Sequence, residues 1–263
     1  MDDLTPLLSD RCRLHVILAR HAPVGVVIRR GPTKRWRLTL WDTQQDRFTG
    51  GQWFHGSFYP ERCDLSPDGN LFSYFAGKFR RRDAESRYDV TWIAVSRPPF
   101  LTALALWPVG DTWGGQTMFA DDGGLHIDTC REHHPDHPAG PLRVWRTYRR
   151  SSRGWTDLPS AEDPKSHHPC PAFKQLGELQ ITRMRTLWKA RPRFTLVVRG
   201  REVAAFEADW ADFDQHGRLV AAAGGRVLEG VIDSADGLRW RQLADLHDEK
   251  PEPIETPEWA KRW

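Results

Sequence analysis

Five residues in the middle of the chain have side chains that metals favour. Cys130, His134 and His137 fall within eight positions, and His168 and Cys170 follow some 30 residues later. Thiolate sulfur and imidazole nitrogen are the ligands zinc takes in tetrahedral sites. Cys130, His134 or His137, His168 and Cys170 therefore form a candidate zinc set. No CxxC knuckle frames them, and proline-rich polar loops also carry solvated histidines. A second group is acidic: Asp64, Asp68, Asp121, Asp122, Asp212 and Asp214. Brought together, such carboxylates bind a cation or work as acid and base. Left apart, each aspartate satisfies the backbone of its own turn. A third group is basic. Arg80, Arg81 and Arg82 stand beside Phe79 and Tyr88, the mixture of charge and stacking seen on nucleic-acid surfaces. Asp83, Glu85 and Asp89 interrupt the run, as in a solvated loop.

Aromatic residues among glycines are a fourth candidate. Trp53 and Phe54 lie in Gly50–Gly56, and Trp107 and Trp113 lie in a stretch ending at Gly114–Gly115. Glycines beside a ring suit a loop that presents it to a partner. Motifs for a nucleophile elbow, a phosphate-binding loop, a zinc-protease helix or a dinucleotide fold are absent from the sequence.

The elements that must position these residues read as strands. Short runs such as Trp36–Trp41, Leu71–Phe75, Thr91–Ser96, Phe194–Arg199, Leu219–Ala223 and Arg226–Val231 are rich in branched and aromatic residues and bounded by turn residues. In Arg35–Trp41, Trp36, Leu38 and Leu40 alternate with Arg35, Arg37 and Thr39. That pattern predicts a half-buried antiparallel strand with its arginines on the wet face. Helical signals are confined to Leu4–Leu18, read as a short helix or a helix running into a strand. The region from about 128 to 176 is rich in proline and histidine and reads as a loop insertion in a single domain spanning 1–263.

A turn unit recurs. Asp64-Leu65-Ser66-Pro67-Asp68-Gly69 precedes an apolar run, as does Asp212-Phe213-Asp214-Gln215-His216-Gly217, and Phe119–Ile127 is a weaker copy read with Gly124 as its turn glycine. The aspartate caps a tight turn and the glycine takes positive φ. On these residues, and on the Gly224–Leu228 piece that follows the second copy, the chain resembles the inner hairpins of TolB-like and WD40-like β-propeller blades. The usual WD dipeptide with its upstream GH is missing. The resemblance implies an all-β, antiparallel, small propeller of four or five blades; a β-sandwich or barrel is the alternative.

Composition narrows the classes. The 263 residues carry 38 basic and 35 acidic side chains, a net charge of +3. So balanced a surface implies no general attraction to nucleic acid or membrane. With 39% apolar residues the chain is too hydrophobic for disorder. The 13 tryptophans against 4 tyrosines suit strands and cores. The first residues lack the pattern of an export signal, and four widely spaced cysteines suit a reducing, cytoplasmic setting. Together these readings predict a non-catalytic protein-interaction or scaffolding module. Its contact surface would be Trp53, Phe54, Trp107 and Trp113, and its partner another protein. The competing expectation is a metal-dependent enzyme or metal-binding protein using the Cys/His loops or the aspartate turns. A weaker one is a nucleic-acid binder acting through Arg80, Arg81 and Arg82.

Overall fold

The structure is a computed structural model that describes residues 3–79, 90–149, 152–158, 171–184, 190–233 and 237–263. Arg80, Arg81, Arg82, His168 and Cys170 lie outside the described residues. The fold is all-β, built almost entirely of antiparallel sheets. Among the described residues the only helical turns are of the 3-10 kind, at Thr5–Leu7, Pro60–Arg62 and Glu258–Lys261. The helix read near the N-terminus is thus a single such turn, followed by a strand. No helix among the described residues is long and apolar enough to cross a membrane.

Five sheets follow one another along the chain. The first runs β1 (Arg13–Leu18), β2 (Val24–Arg30), β3 (Arg35–Asp42) and β4 (Arg47–His55), in that order. The second contains β5 (Ser57–Phe58), β6 (Asp64–Leu65), β7 (Phe72–Gly77), β8 (Thr91–Ser96) and β9 (Ala105–Pro108), with β5 and β6 both pairing with β7. The third holds β10 (Thr117–Phe119), β11 (Leu125–Ile127) and β12 (Val144–Trp145), where β12 joins β11 in parallel. The fourth is β13 (Thr156–Asp157), β14 (Ala172–Leu176), β15 (Leu179–Met184), β16 (Arg193–Val198) and β17 (Arg201–Glu207). The fifth is β18 (Trp210–Phe213), β19 (Leu219–Ala223), β20 (Arg226–Asp233) and β21 (Gly237–Asp245). Pairing between neighbours in sequence lets short turns set the register.

Packing divides the chain into two compact units, residues 1–15 with 152–249, and residues 16–151 with 250–263. In the former, Ile181, Phe194, Leu196, Phe213, Leu219, Leu228 and Trp240 form the core. In the latter, one cluster gathers Ile17, Val26, Leu38, Phe58, Phe72 and Leu106, and another gathers Phe75, Ile93, Trp107, Phe119 and Ile127.

The recurring turn unit has the same geometry in three sheets. The Gly69 amide donates to the Ser66 carbonyl (2.9 Å), Gly123 to Ala120 (3.0 Å) and Gly217 to Asp214 (3.0 Å). The three glycines have φ of +76°, +82° and +76°, the left-handed region that glycine enters without a Cβ clash. The turn glycine of the weaker copy is therefore Gly123. Gly124 serves a different need, close contact: an added Cβ there would overlap the Trp145 ring.

The first residue of two copies does more than cap. Asp64 is buried, accepts the Phe119 amide at 2.8 Å and lies 3.8 Å from the Arg20 guanidinium. Asp212 is buried as well. It accepts from its neighbour's amide at Phe213 (2.7 Å), from the Trp155 indole (3.0 Å) and from the Lys174 ammonium (2.7 Å). The carboxylate of β18 thus binds the fourth sheet to the fifth. Removing one partner of such a buried pair leaves the other charge desolvated, at a cost of about 3–5 kcal/mol. Lys174 keeps some access to water, so Asp212→Ala is expected to lower unfolding stability by about 2–4 kcal/mol in a urea titration. A loss below about 1 kcal/mol would show that this carboxylate does not join the sheets.

Candidate site beside Trp53

The best-formed group of chemically able side chains lies on the first sheet. Arg29 on β2 sits directly opposite Arg37 on β3, and Arg37 directly opposite Trp53 on β4. The three side chains form one row across three strands. Both guanidinium carbons lie over the indole, at 5.4 Å for Arg29 and 5.6 Å for Arg37, within cation–π range. The arginines are only 4% and 8% exposed. The sequence pattern placed Arg37 on a wet face, and the structure corrects this: Thr39 and Trp41 on the same strand are also buried, so β3 is covered on both sides.

Glycines make this row possible. A Cβ on Gly50 would overlap the Arg37 guanidinium, and one on Gly51 would overlap Pro99. Arg37 therefore lies flat across β4, and its Nε donates to the Gly51 carbonyl at 3.3 Å. The register of β3 and β4 shifts between Arg37 and Thr39, with the extra residue on β4. Such a bulge re-aims nearby side chains. Gly50–Gly56 is accordingly not a loop presenting aromatics, as its glycines suggested, but mostly the interior of a nine-residue strand.

Gln52, at the bulge, fastens a wall to the site. Its amide nitrogen donates to the Ile254 carbonyl (2.9 Å) and the Thr256 hydroxyl (2.7 Å), and its amide oxygen accepts the Leu101 amide (2.8 Å). Pro251 and Pro253 stiffen the wall and lack backbone donors. Gln52, Trp53, Pro251, Glu252, Pro253 and Ile254 line an open groove of about 500 Å³. Glu252 Oε1 reaches to 3.9 Å from Arg37 Nη2 while its side chain stays 68% exposed. The Trp53 indole nitrogen is buried and has no acceptor among the described residues. The groove therefore combines an aromatic ring and a carboxylate that water can reach, and two buried guanidinium groups lie against that ring.

The other expected sites are arranged differently. Phe54 points away from Trp53, as adjacent strand residues must, and packs edge-on to Phe58 and Trp92. Trp107 is 2% exposed in β9, a core residue. Trp113 is 93% exposed. Its loop is held by Asp111, which accepts the Trp113 amide at 2.9 Å, and by Arg62, which donates to the Thr112 and Gly114 carbonyls at 2.8 and 2.5 Å. Among the possible zinc ligands, Cys130 is an exposed free thiol. His134 and His137 are close, with ring centroids 5.8 Å apart, and the His134 Nδ1 accepts the Asp136 amide at 3.2 Å. Their backbones pair with Leu106 of β9. No group of three His, Cys, Asp or Glu side chains among the described residues is arranged to hold a metal ion.

Two of the turn aspartates are engaged locally, whereas Asp121 accepts from the Arg20 guanidinium at 2.9 Å. Asp68 accepts from Ser66 Oγ and from Asn70, and the fully buried Asp214 accepts the amides of His216 and Arg218 and the Arg218 guanidinium. Asp209, which no sequence pattern marks, has its carboxyl pushed up by burial. The Arg191 guanidinium at 3.0 Å and the Gly224 amide at 2.9 Å pull it back in part. Both of its oxygens are thereby held in structural contacts.

No family model matches the chain, and no curated protein matches its sequence. Solved structures similar to it include a mutant of the GH43 protein BlXynB from Bacillus licheniformis. The TM-score is 0.39 with 8% identity, over 98% of this chain and 61% of that one, so this chain spans about three fifths of its length. Another is the uncharacterized protein lmo1340 from Listeria monocytogenes, with a TM-score of 0.31 and 9% identity over 93% and 86% of the two chains. The expectation of a non-catalytic interaction or scaffolding module is corrected. The finding against it is that the first of these structures is a GH43 protein, a glycoside hydrolase. Nor do the four aromatics form one contact surface, since Trp107 is buried and Trp53 and Phe54 face opposite sides of their strand.

A second aromatic group shows how neighbours tune a base. The His126 ring stacks on Trp145 at 4.6 Å and its Nδ1 lies 2.8 Å from the Thr147 hydroxyl. Desolvation, and then the charge of Arg149, hold its pKa below the ordinary 6.5, while Asp122 acts in the opposite sense. The imidazole is expected to titrate below pH 6.5 by NMR, and to move upward in Arg149→Gln. Because the folded form binds this proton less readily than the unfolded chain, the contribution of His126 to stability is present above pH 6.5 and is lost as the pH falls below it. A midpoint at or above 6.5 would contradict this account.

Proposed function

We propose that the groove beside Trp53 binds a small molecule that joins a ring to a carboxylate or similar anionic group. The observation that carries this reading is the row Arg29–Arg37–Trp53, in which two buried guanidinium groups lie over the indole that lines an open groove. An indole offers an apolar face to the C–H side of a sugar or to an aromatic ring. A guanidinium presents a planar fork of donors that matches a carboxylate. The strap from Pro251 to Ile254 supplies a rigid second side, since Gln52 and the prolines hold it before any ligand arrives. A preformed wall reduces the ordering cost of binding.

The test uses D-glucuronate and benzoate as ring acids, one a sugar and one aromatic, with D-glucose and acetate as partial matches. For ligands of this size, dissociation constants on the order of 1 mM are expected. Saturation-transfer NMR and titration should show at least one ring acid binding more tightly than both D-glucose and acetate. Trp53→Ala should weaken that binding about tenfold or more, and Trp53→Phe less, because it keeps a ring. Unfolding curves of both variants establish that they are folded. Failure of both ring acids to bind, or equal binding by folded Trp53→Ala, would overturn the proposal. Which ring acid prevails tells a sugar acid from an aromatic one.

A further inference from the structure

We infer that a second surface of this protein, apart from the groove beside Trp53, binds single-stranded nucleic acid. On the face of the first sheet opposite Trp53, another row crosses three strands. Arg30 on β2 stands opposite Trp36 on β3, and Trp36 opposite Phe54 on β4. The Arg30 guanidinium lies over the Trp36 ring at 5.9 Å. The ammonium of Lys78, just past β7, lies over Phe54 at 5.7 Å. The two rings are half-buried against the core, whereas Arg30, Lys34 and Lys78 are exposed.

Backbone contacts hold these groups in place. The Gly56 amide donates to the Lys34 carbonyl at 3.0 Å, and the Trp36 indole donates to the Gly56 carbonyl at 3.1 Å. The turn between β2 and β3 is thereby tied to the corner after β4. A Cβ on Gly56 would overlap both Phe54 and the Gly77 carbonyl, and one on Gly77 would touch the Phe79 ring. The two glycines thus bring Phe79, which is 51% exposed, to the end of the row.

The charge of this surface is one-sided. The stretches that build it, residues 30–41, 47–60 and 69–79, hold no aspartate or glutamate. Among the described residues, no carboxylate pairs with Arg30, Lys34 or Lys78. The near balance of charge over the whole chain is therefore broken here, and cations gathered in one place favour an anionic partner. A single strand alternates phosphates with flat bases, as the surface alternates cations with rings. An acidic peptide would bring nothing to stack on Phe79. A lipid surface takes up rings that project, and Trp36 and Phe54 are half-buried in their strands.

Fluorescence anisotropy with a labelled oligothymidylate of about 12 nucleotides tests the inference. At low salt the dissociation constant should be on the order of 10–100 μM. Its logarithm should rise with the logarithm of salt concentration at a slope of about 2, as about three neutralised phosphates on a single strand require. The triple variant Arg30→Gln/Lys34→Asn/Lys78→Gln alters exposed side chains, with asparagine at 34 because that residue has a φ of +59°. It should bind at least about tenfold more weakly, with the slope much reduced. Phe79→Ala should bind about fivefold or more weakly with the slope unchanged, since it removes a stacking ring and no charge. Unfolding curves establish that both variants are folded. No binding by wild type at low salt would overturn the inference, as would equal binding by the triple variant, which keeps Arg80, Arg81 and Arg82. Unchanged binding by Phe79→Ala would also sink it, because the surface would then attract polyanions without stacking. Tighter binding of poly-L-glutamate or of phosphatidylserine vesicles than of the oligonucleotide would assign the surface to a different partner and overturn it as well.

Discussion

A carboxylate that begins a turn and ends up buried organises much of this protein. Asp64 and Asp212 occupy the same place in the recurring unit, two positions before the residue whose carbonyl closes the turn. Each could have capped its own hairpin and stopped there. Each instead reaches a neighbouring sheet: Asp64 bonds the amide of Phe119 on β10, and Asp212 bonds Lys174 on β14 and the Trp155 indole that precedes β13. Taking a carboxylate out of water is costly, and it persists only where donors meet it. The donors come from the next sheet, so the desolvation cost is relieved only when the sheets are together. The same arrangement arises once in each compact unit, in two of the three copies; the third carries Met118 at that place.

The groove depends on a different constraint, the room that glycine leaves. Arg37 can be buried flat on β4 because Gly50 and Gly51 carry no side chains. With the bulge at that point, Trp53 is aligned with the arginine row and Gln52 is free to reach the strap. Glycines inside a strand weaken it, and they are kept where another group must come close. Here the close groups are a guanidinium and a proline carbonyl. The consequence is chemical: a charged, planar donor is held beside an indole with little freedom to move.

Much of the architecture is legible in the amino-acid sequence. Alternation in Arg35–Trp41 and the apolar runs at Phe194–Arg199, Leu219–Ala223 and Arg226–Val231 mark strands that form, because side-chain direction in a strand has a period of two. The turn unit is legible for the same local reason: an aspartate and a left-handed glycine define a hairpin almost regardless of what surrounds it. Trp53 stands out as well, though for the wrong setting. The pair Gly50–Gly51 reads as a loop when only neighbours in sequence are considered, and the groups that need the space come from β3 and from Pro99.

The class of fold and the positions of the tight turns are thus written into the chain locally, since both follow from interactions among residues a few positions apart. Arg37 is not placed that way: its alternation assigned it to water, although β3 is covered on both faces. Nor does any local pattern bring Gln52 to Ile254 and Thr256, some 200 residues away, or set Glu252 against the arginine. Those contacts join segments remote in the chain. Burial, charge pairing and the shape of the groove are decided only when the strands and the strap are packed, because each depends on which distant surface excludes the water.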